Sequence, residues 1–355
     1  MELIMIKLNY SNQNIHNMKL LLLKAIKIKS SLLYMTLIVS IVMLASSCKK
    51  NPPEPKLKIT ILAAGLKNPI GVELDKSGGV LVVEGGTGNN DGKVVLITPD
   101  GKKADLITGF PSLIFEGDEP DGPTHLLLSD GVLYILGRGG KMYKANAFAL
   151  KPGVPLKASD LNVEDIGKFV LGQGFLDSHP YGLTTGPGGD IYMADAGANA
   201  IIHRAKTGAL SILAKVPGIA NPTPVGPPQL ESVPTGIIYD GQNFFVTTLL
   251  GFPFPPGKSL IYKISPAGAV SVFQQGFTSL VDIAEGGSLG RLVLGHGTFG
   301  ATGFAPNSGT LTWANGSSAT LLTDGLNTPA GLKQADVHTW YVTSLGDGTV
   351  LKVNY

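Results

Sequence analysis

The chain has 355 residues, 43% hydrophobic and 15% charged, with 47 glycines, one cysteine, and 28 Lys+Arg against 26 Asp+Glu. Residues 1–47 hold five Lys and one Glu, so the remainder carries 28 − 5 = 23 basic and 26 − 1 = 25 acidic groups, a formal net of −2. That balance excludes a nucleic-acid binder, which needs a basic patch, and a lone cysteine excludes a disulfide framework.

In chain order, Lys19, Lys24, Lys27 and Lys29 form a basic stretch, Ser31–Met43 is largely apolar, and Leu44-Ala45-Ser46-Ser47-Cys48 follows. A basic region, an apolar run and small residues before a cysteine read as a secretory signal with a bacterial lipobox, in which Cys48 takes the lipid. The apolar run is short for a membrane span. Residues 1–48 are therefore expected to be a signal peptide, and residues 49–57, with Pro52, Pro53 and Pro55, an extended tether. The expected location is the cell envelope, with membrane contact only through the anchor.

From residue 58 to 355 a phrase recurs: a turn, Pro-x-Gly, then a short apolar strand. It appears as Asn68-Pro69-Ile70-Gly71, His179-Pro180-Tyr181-Gly182, Val233-Pro234-Thr235-Gly236 and Thr328-Pro329-Ala330-Gly331. Gly122-Pro123-Thr124-His125 is a looser copy and Thr278-Ser279-Leu280-Val281 a degenerate one. The steps between Pro69, Pro123, Pro180, Pro234, Val281 and Pro329 are 54, 57, 54, 47 and 48 residues. A period near fifty means stacked copies of one supersecondary unit.

The first copy shows four strands, at Gly71–Leu74, Val80–Val83, Lys93–Thr98 and Ala104–Thr108, separated by Gly, Asn and Asp turns. Four antiparallel strands per repeat is a propeller blade. The second copy has a clear Val132–Leu136 strand but no legible fourth one. Within it, Ser159–Val170 reads as a helix with Ser159 as N-cap. The sixth copy stops one strand short, while Lys58–Ala63 is a spare strand before the first repeat. The expectation is an all-β fold, a six-bladed β-propeller of four-stranded antiparallel blades, its ring closed by the N-terminal strand joining the last blade. Closure removes the sheet edge that would template aggregation.

Several phrases then carry a resemblance: Asp177-Ser178-His179-Pro180-Tyr181-Gly182-Leu183, Ala194-Asp195-Ala196-Gly197-Ala198-Asn199, Leu250-Gly251-Phe252-Pro253-Phe254-Pro255 and Gly276-Phe277-Thr278-Ser279-Leu280-Val281-Asp282. They resemble the ScyD/ScyE family of secreted propeller proteins over nearly all of residues 58–355. The resemblance implies a six-bladed, NHL/YWTD-like propeller and brings no activity with it. His125 and His179 depart from the polar residues expected at their positions.

In a blade of this topology the loop leading into the inner strand and the loop after the second strand lie on one face. That lead-in face is expected to collect His125, Arg138, Asp177, His179, Asp195, Phe252, Phe254, Asp282 and His296 as the ligand-binding face, and loops on a rigid scaffold are where function concentrates. Three readings compete. The first is a non-catalytic binding module for an unknown small molecule or envelope protein, acting as a monomer. The second is a metal-dependent, lactonase-type (SMP-30-like) hydrolase or lyase, in which Asp177, Asp195 and Asp282 hold calcium, or histidines hold zinc, at the channel mouth. The third is a structural role in envelope assembly. The bland alternatives are that Asp195 and Asn199 brace a turn, that Asp177 caps the loop before Pro180, and that Phe252 and Phe254 pack a blade edge. Arg138, between two glycines, is placed to clamp a carboxylate. No nucleophile elbow and no phosphate-binding Gly-Lys-Ser/Thr loop is expected, and Gly85-Gly86-Thr87-Gly88 has no helix after it to make a nucleotide loop.

Overall fold

The computed structural model describes residues 57–114 and 120–355, with Met18 and Lys24 alone before them. The signal segment, Cys48, most of the tether, and Asp118 and Glu119 of an acidic loop lie outside the described residues.

Each blade is built on four antiparallel strands, which in blades 1 to 5 run outward from the channel in chain order, and Leu156–Lys157 adds a short parallel strand at the outer edge of blade 1. Blade 1 comprises Pro69–Leu74, Val80–Glu84, Gly92–Ile97 and Lys103–Phe110, and blade 3 comprises Pro180–Thr185, Ile191–Asp195, Ala200–Arg204 and Leu210–Lys215. Blade 4 is built from Pro234–Tyr239, Phe244–Thr248, Ser259–Ile264 and Val270–Phe277. In blade 5, Leu280–Glu285 and Arg291–Gly295 are followed by Gly309–Ala314 and Ala319–Leu326, after an insertion that carries the small hairpin Phe299–Gly300/Gly303–Phe304. Apolar residues are frequent in the second and third strands because these lie between neighbouring blades.

Blade 6 closes the ring as expected. Pro329–Asp336, Thr339–Ser344 and Thr349–Asn354 are completed by Lys58–Ala64, which pairs antiparallel with the last strand from Lys58 opposite Asn354 to Ala64 opposite Thr349. Leu66 N donates to Gly348 O at 3.0 Å, and Thr343 Oγ1 to Ile70 O at 2.5 Å, stitching blade 6 to blade 1.

Blade 2 corrects the sequence reading. Its strands are Leu126–Ser129, Val132–Gly137, Lys141–Asn146 and, as the fourth, Asn162–Asp165. The helix is shorter than expected, Ile166–Gly172, and its N-cap is Asp165, not Ser159; the Asp165 carboxylate accepts from Lys168 N at 2.9 Å. Ser159 lies in a one-turn 3-10 segment, Ala158–Asp160. Physically, Asn162–Asp165 is held less by apolar burial than by charge. Glu164 accepts from Arg204 Nε and Nη2 at 2.5 and 2.6 Å and from Lys144, and Asp165 pairs with Lys141.

The core lies between blades. Among the described residues six apolar clusters form, one per interface: Val83 and Leu133 mark the 1–2 contact, Met142 and Met193 the 2–3, Ile201 and Phe244 the 3–4, Ile261 and Val293 the 4–5, Trp313 and Trp340 the 5–6, and Val82 with Tyr341 the 6–1. Interdigitating sheets of this kind make the ring rigid.

Candidate functional site

Strand register fixes which residues share a level around the channel. Pro69 sits opposite Glu84, Pro180 opposite Asp195, Pro234 opposite Thr248 and Pro329 opposite Ser344; in blade 5 it is Leu280 that sits opposite Gly295. The fifth copy therefore aligns on Leu280, one residue before the Val281 used for its spacing, and Asp282 occupies the glycine position. In blade 2 that position is His125. One ring thus reads Gly71, His125, Gly182, Gly236, Asp282, Gly331.

The four glycines are there because the inner strands nearly touch. A Cβ at Gly182 would come 2.3 Å from Thr235 O, and one at Gly331 2.2 Å from Ile70 O. A Cβ at Gly71 would meet His125 Cα at 2.6 Å, and one at Gly236 would meet Asp282 Cα at 2.6 Å. Only residues without a side chain allow that approach. The two exceptions belong to blades 2 and 5, which face each other across a six-membered ring. His125 Nε2 lies 3.8 Å from Asp282 Oδ2, so the pair spans the channel.

Asp282 is fixed from behind. Its Oδ1 accepts from Ile283 N at 2.8 Å and its Oδ2 from Leu332 N at 2.7 Å. His125 is 7% exposed, and neither ring nitrogen has a hydrogen-bond partner. Tyr181 lies against the imidazole with ring centroids 4.5 Å apart. Burial pushes the Tyr181 phenol well above its ordinary range, and the charge of Asp282 adds to the shift.

This level is the floor of a cavity of about 270 Å³ lined by the inner strands of all six blades. The lining runs from His125 and Asp282 to Glu73, Thr184, Tyr239, Glu285, Lys333 and Gln334, toward the ends of those strands. The cavity therefore lies on the side of the first-to-second-strand turns, away from the lead-in loops. Lys333 Nζ pairs with Glu73 Oε1 at 2.8 Å. The Glu285 carboxyl is pushed up by burial, against the pull of Arg291, and its Oε1 is buried without a partner. Arg291 itself reaches Asp240 Oδ2 at 2.8 Å and lies over the Phe245 ring at 3.2 Å.

Of the residues singled out in the sequence, the structure brings His125 and Asp282 together and leaves the others on the lead-in side. Asp195 is fully buried: Oδ2 accepts from Ser178 Oγ at 2.6 Å, and Oδ1 from His179 N at 2.7 Å and Ala198 N at 3.0 Å. Burial nevertheless raises its pKa. Its work is to hold the lead-in loop of blade 3, as Glu84 does in blade 1 through Lys67 N. Asp177 is exposed and bonds Ser178 N at 2.7 Å, and His179 beside it is half-buried. Arg138 lies in an ion pair within the chain, its Nε 2.9 Å from Asp121 Oδ2. His296 Nδ1 lies 2.9 Å from Pro329 O, and its ring meets Phe304 edge-on at 4.6 Å. Phe254 packs on Phe299 at 4.7 Å and Phe304 at 5.4 Å, while Phe252, half-exposed, meets Phe299 at 6.2 Å.

Asp177, Asp195 and Asp282 do not form the metal site proposed for them. Among the described residues no three His, Cys, Asp or Glu side chains converge on a point. The reason is local: the Asp195 oxygens are taken by the loop it braces, and Asp282 sits a level deeper. The sequence does contain the spacings of the two motifs expected to be absent, though neither folds as its motif does. Gly286-Gly287-Ser288-Leu289-Gly290 has the spacing of a nucleophile elbow, but here Gly287–Leu289 is a 3-10 turn between two antiparallel strands and not the strand-to-helix bend that exposes such a serine. Gly257-Lys258-Ser259 leads into a strand, with no helix to cradle phosphate.

No family model matches the chain, and no curated protein matches it. Solved structures do. A gluconolactonase from Xanthomonas campestris aligns over 86% of this chain and 95% of its own, with a TM-score of 0.56 and 10% identity. A protein of unknown function from Bacteroides thetaiotaomicron aligns over 85% of this chain and 76% of its own, with a TM-score of 0.56 and 13% identity. Virginiamycin B lyase from Staphylococcus aureus aligns over 85% of this chain and all of its own, with a TM-score of 0.50 and 16% identity. At such identities the likeness is one of fold, and the chain is a six-bladed β-propeller.

Proposed function

We propose that this chain is an exported, lipid-anchored propeller of the ScyD/ScyE kind that binds a small ligand in its central channel without transforming it. One observation carries the reading. A buried His125 with two unbonded nitrogens, set across the ring from Asp282, forms the floor of a cavity that reaches toward solvent. Buried polar groups are normally satisfied, and convergent polar groups in a concave, otherwise apolar site mark the default binding site. This moves the proposed site from the lead-in face to the channel side of the same two residues. A fragment screen by histidine-detected NMR on the full chain tests it. Bound fragments are expected to shift the His125 ring signals, and hits confined to the loop carrying Phe252 and Phe254 would overturn the choice of site.

A second reading is a lyase or lactonase-type hydrolase, the activities named for two of the structural neighbours. The arrangement favouring it is His125 beside Asp282, a base and a carboxylate able to orient it once the 3.8 Å gap closes. Turnover of a lactone panel that vanishes in His125→Ala would establish that reading over simple binding. The anchor rests on the segment ending at Cys48. Cys48→Ala is expected to abolish incorporation of a labelled fatty acid and to release the protein from the membrane fraction.

A further inference from the structure

We infer that the channel cavity selects a small organic amine in its protonated form. This rests on the ligand-binding reading of the same cavity and names its chemical class. The argument begins with charge. Three carboxylates line the cavity, those of Glu73, Asp282 and Glu285, against one ammonium, that of Lys333. Lys333 is spent on Glu73 at 2.8 Å. Asp282 keeps its charge in place through two backbone N–H groups, neither of which neutralises it. Glu285 has a buried Oε1 with no hydrogen-bond donor: the nearby Arg291 attracts it but donates to Asp240 and lies over the Phe245 ring, so one guanidinium serves two carboxylates. The lining therefore has more carboxylates than cations, and neither Asp282 nor Glu285 is hydrogen-bonded to a cation, beside an imidazole whose nitrogens are also unbonded.

Burying a carboxylate without a counter-charge is costly, and a ligand that brings the charge removes the cost. An ammonium supplies up to three N–H donors, which matches the unused acceptors: Glu285 Oε1, Asp282 and the unprotonated nitrogen of His125. The wall also has apolar stretches, at Leu126, Leu127, Ile237, Ile283 and Leu332, which suit a short hydrocarbon stem. The volume of about 270 Å³ falls just below the range of about 300–1,000 Å³ usual for ligand pockets and limits the ligand to a small molecule. An anion would face an excess of carboxylates, and a neutral alcohol would leave their charge unmatched.

The test uses three probes of one shape, n-butylammonium, 1-butanol and butanoate, titrated into the full chain and read by calorimetry and by the His125 ring signals. Butylammonium is expected to bind, to shift His125 and to weaken as ionic strength rises. Glu285→Gln should reduce its affinity at least tenfold, with circular dichroism confirming the fold. Should that variant not fold, the salt dependence measured on the unaltered chain decides instead. Binding of butanol or butanoate as tight as that of butylammonium overturns the amine assignment while sustaining the cavity as a ligand site. So does butylammonium affinity that responds neither to salt nor to the substitution. Failure of all three probes to reach His125 overturns both readings.

Discussion

Gly182 shows how tightly one residue can constrain this ring. A Cβ there would press to 2.3 Å on the Thr235 carbonyl oxygen, part of the backbone and unable to swing aside. Gly182→Ala is expected to cost about 1–3 kcal/mol, the usual penalty for overpacking, read as a lower urea midpoint with an unchanged slope. Glu285 gives a pH signature. Its folded-state pKa is raised by burial, so the stability tied to its protonated form is complete below the unfolded value of about 4.3 and is lost as pH rises through the higher native value. Glu285→Gln, neutral at every pH, should therefore melt above the parent protein at pH 7, with the difference shrinking toward pH 4. In the sequence Glu285 was invisible as a site residue, because it ends an apolar strand where a solvent-facing turn residue is the ordinary expectation. His125 and Asp282 were visible, but their partnership was not. It appears only when Leu280, with no proline to mark it, is aligned by strand register.

Among the elements, the fourth strand of blade 2 teaches most. Asn162-Val163-Glu164-Asp165 has one apolar side chain and no alternation to read, so pattern alone could not place it. Its position comes from ion pairs to neighbouring strands, above all that of Glu164 with Arg204, whose side chain is 8% exposed. Arg204 is the first cause of the lowered Glu164 pKa. The stability from this pair is accordingly present above about pH 4.3 and is lost as pH falls through the lowered value. Glu164→Gln leaves Arg204 buried beside a neutral partner and is expected to cost about 2 kcal/mol. Hydrogen exchange should show the loss concentrated in Asn162–Gly172. The regular strands of blades 1, 3 and 4 were legible because Val, Ile and Leu runs between Gly and Asp turns need no distant partner to be recognised. The cavity proposed as the site went unread for a related reason. Lead-in loops announce themselves by length and polarity, whereas the cavity is lined by strand ends whose common level only the assembled ring reveals.

For the whole molecule, closure is the decisive feature and was readable from two counts, one strand short at the end and one spare at the start. Removing residues 58–64 should expose the edge of Thr349–Asn354. Since unpaired edges template association, the truncated protein is expected to elute in size-exclusion chromatography as larger assemblies than the intact chain. The same joint also has a consequence in time. Lys58 pairs with Asn354, a separation of 354 − 58 = 296 residues, so the first strand to leave the ribosome is the last to find its place. Long-range pairings of this kind are slow because loop closure must be met before the contact is gained. Throughout synthesis that strand waits with its backbone unpaired. Under the export proposed above, the ring cannot be completed until its final residues have arrived on the same side of the membrane as its first.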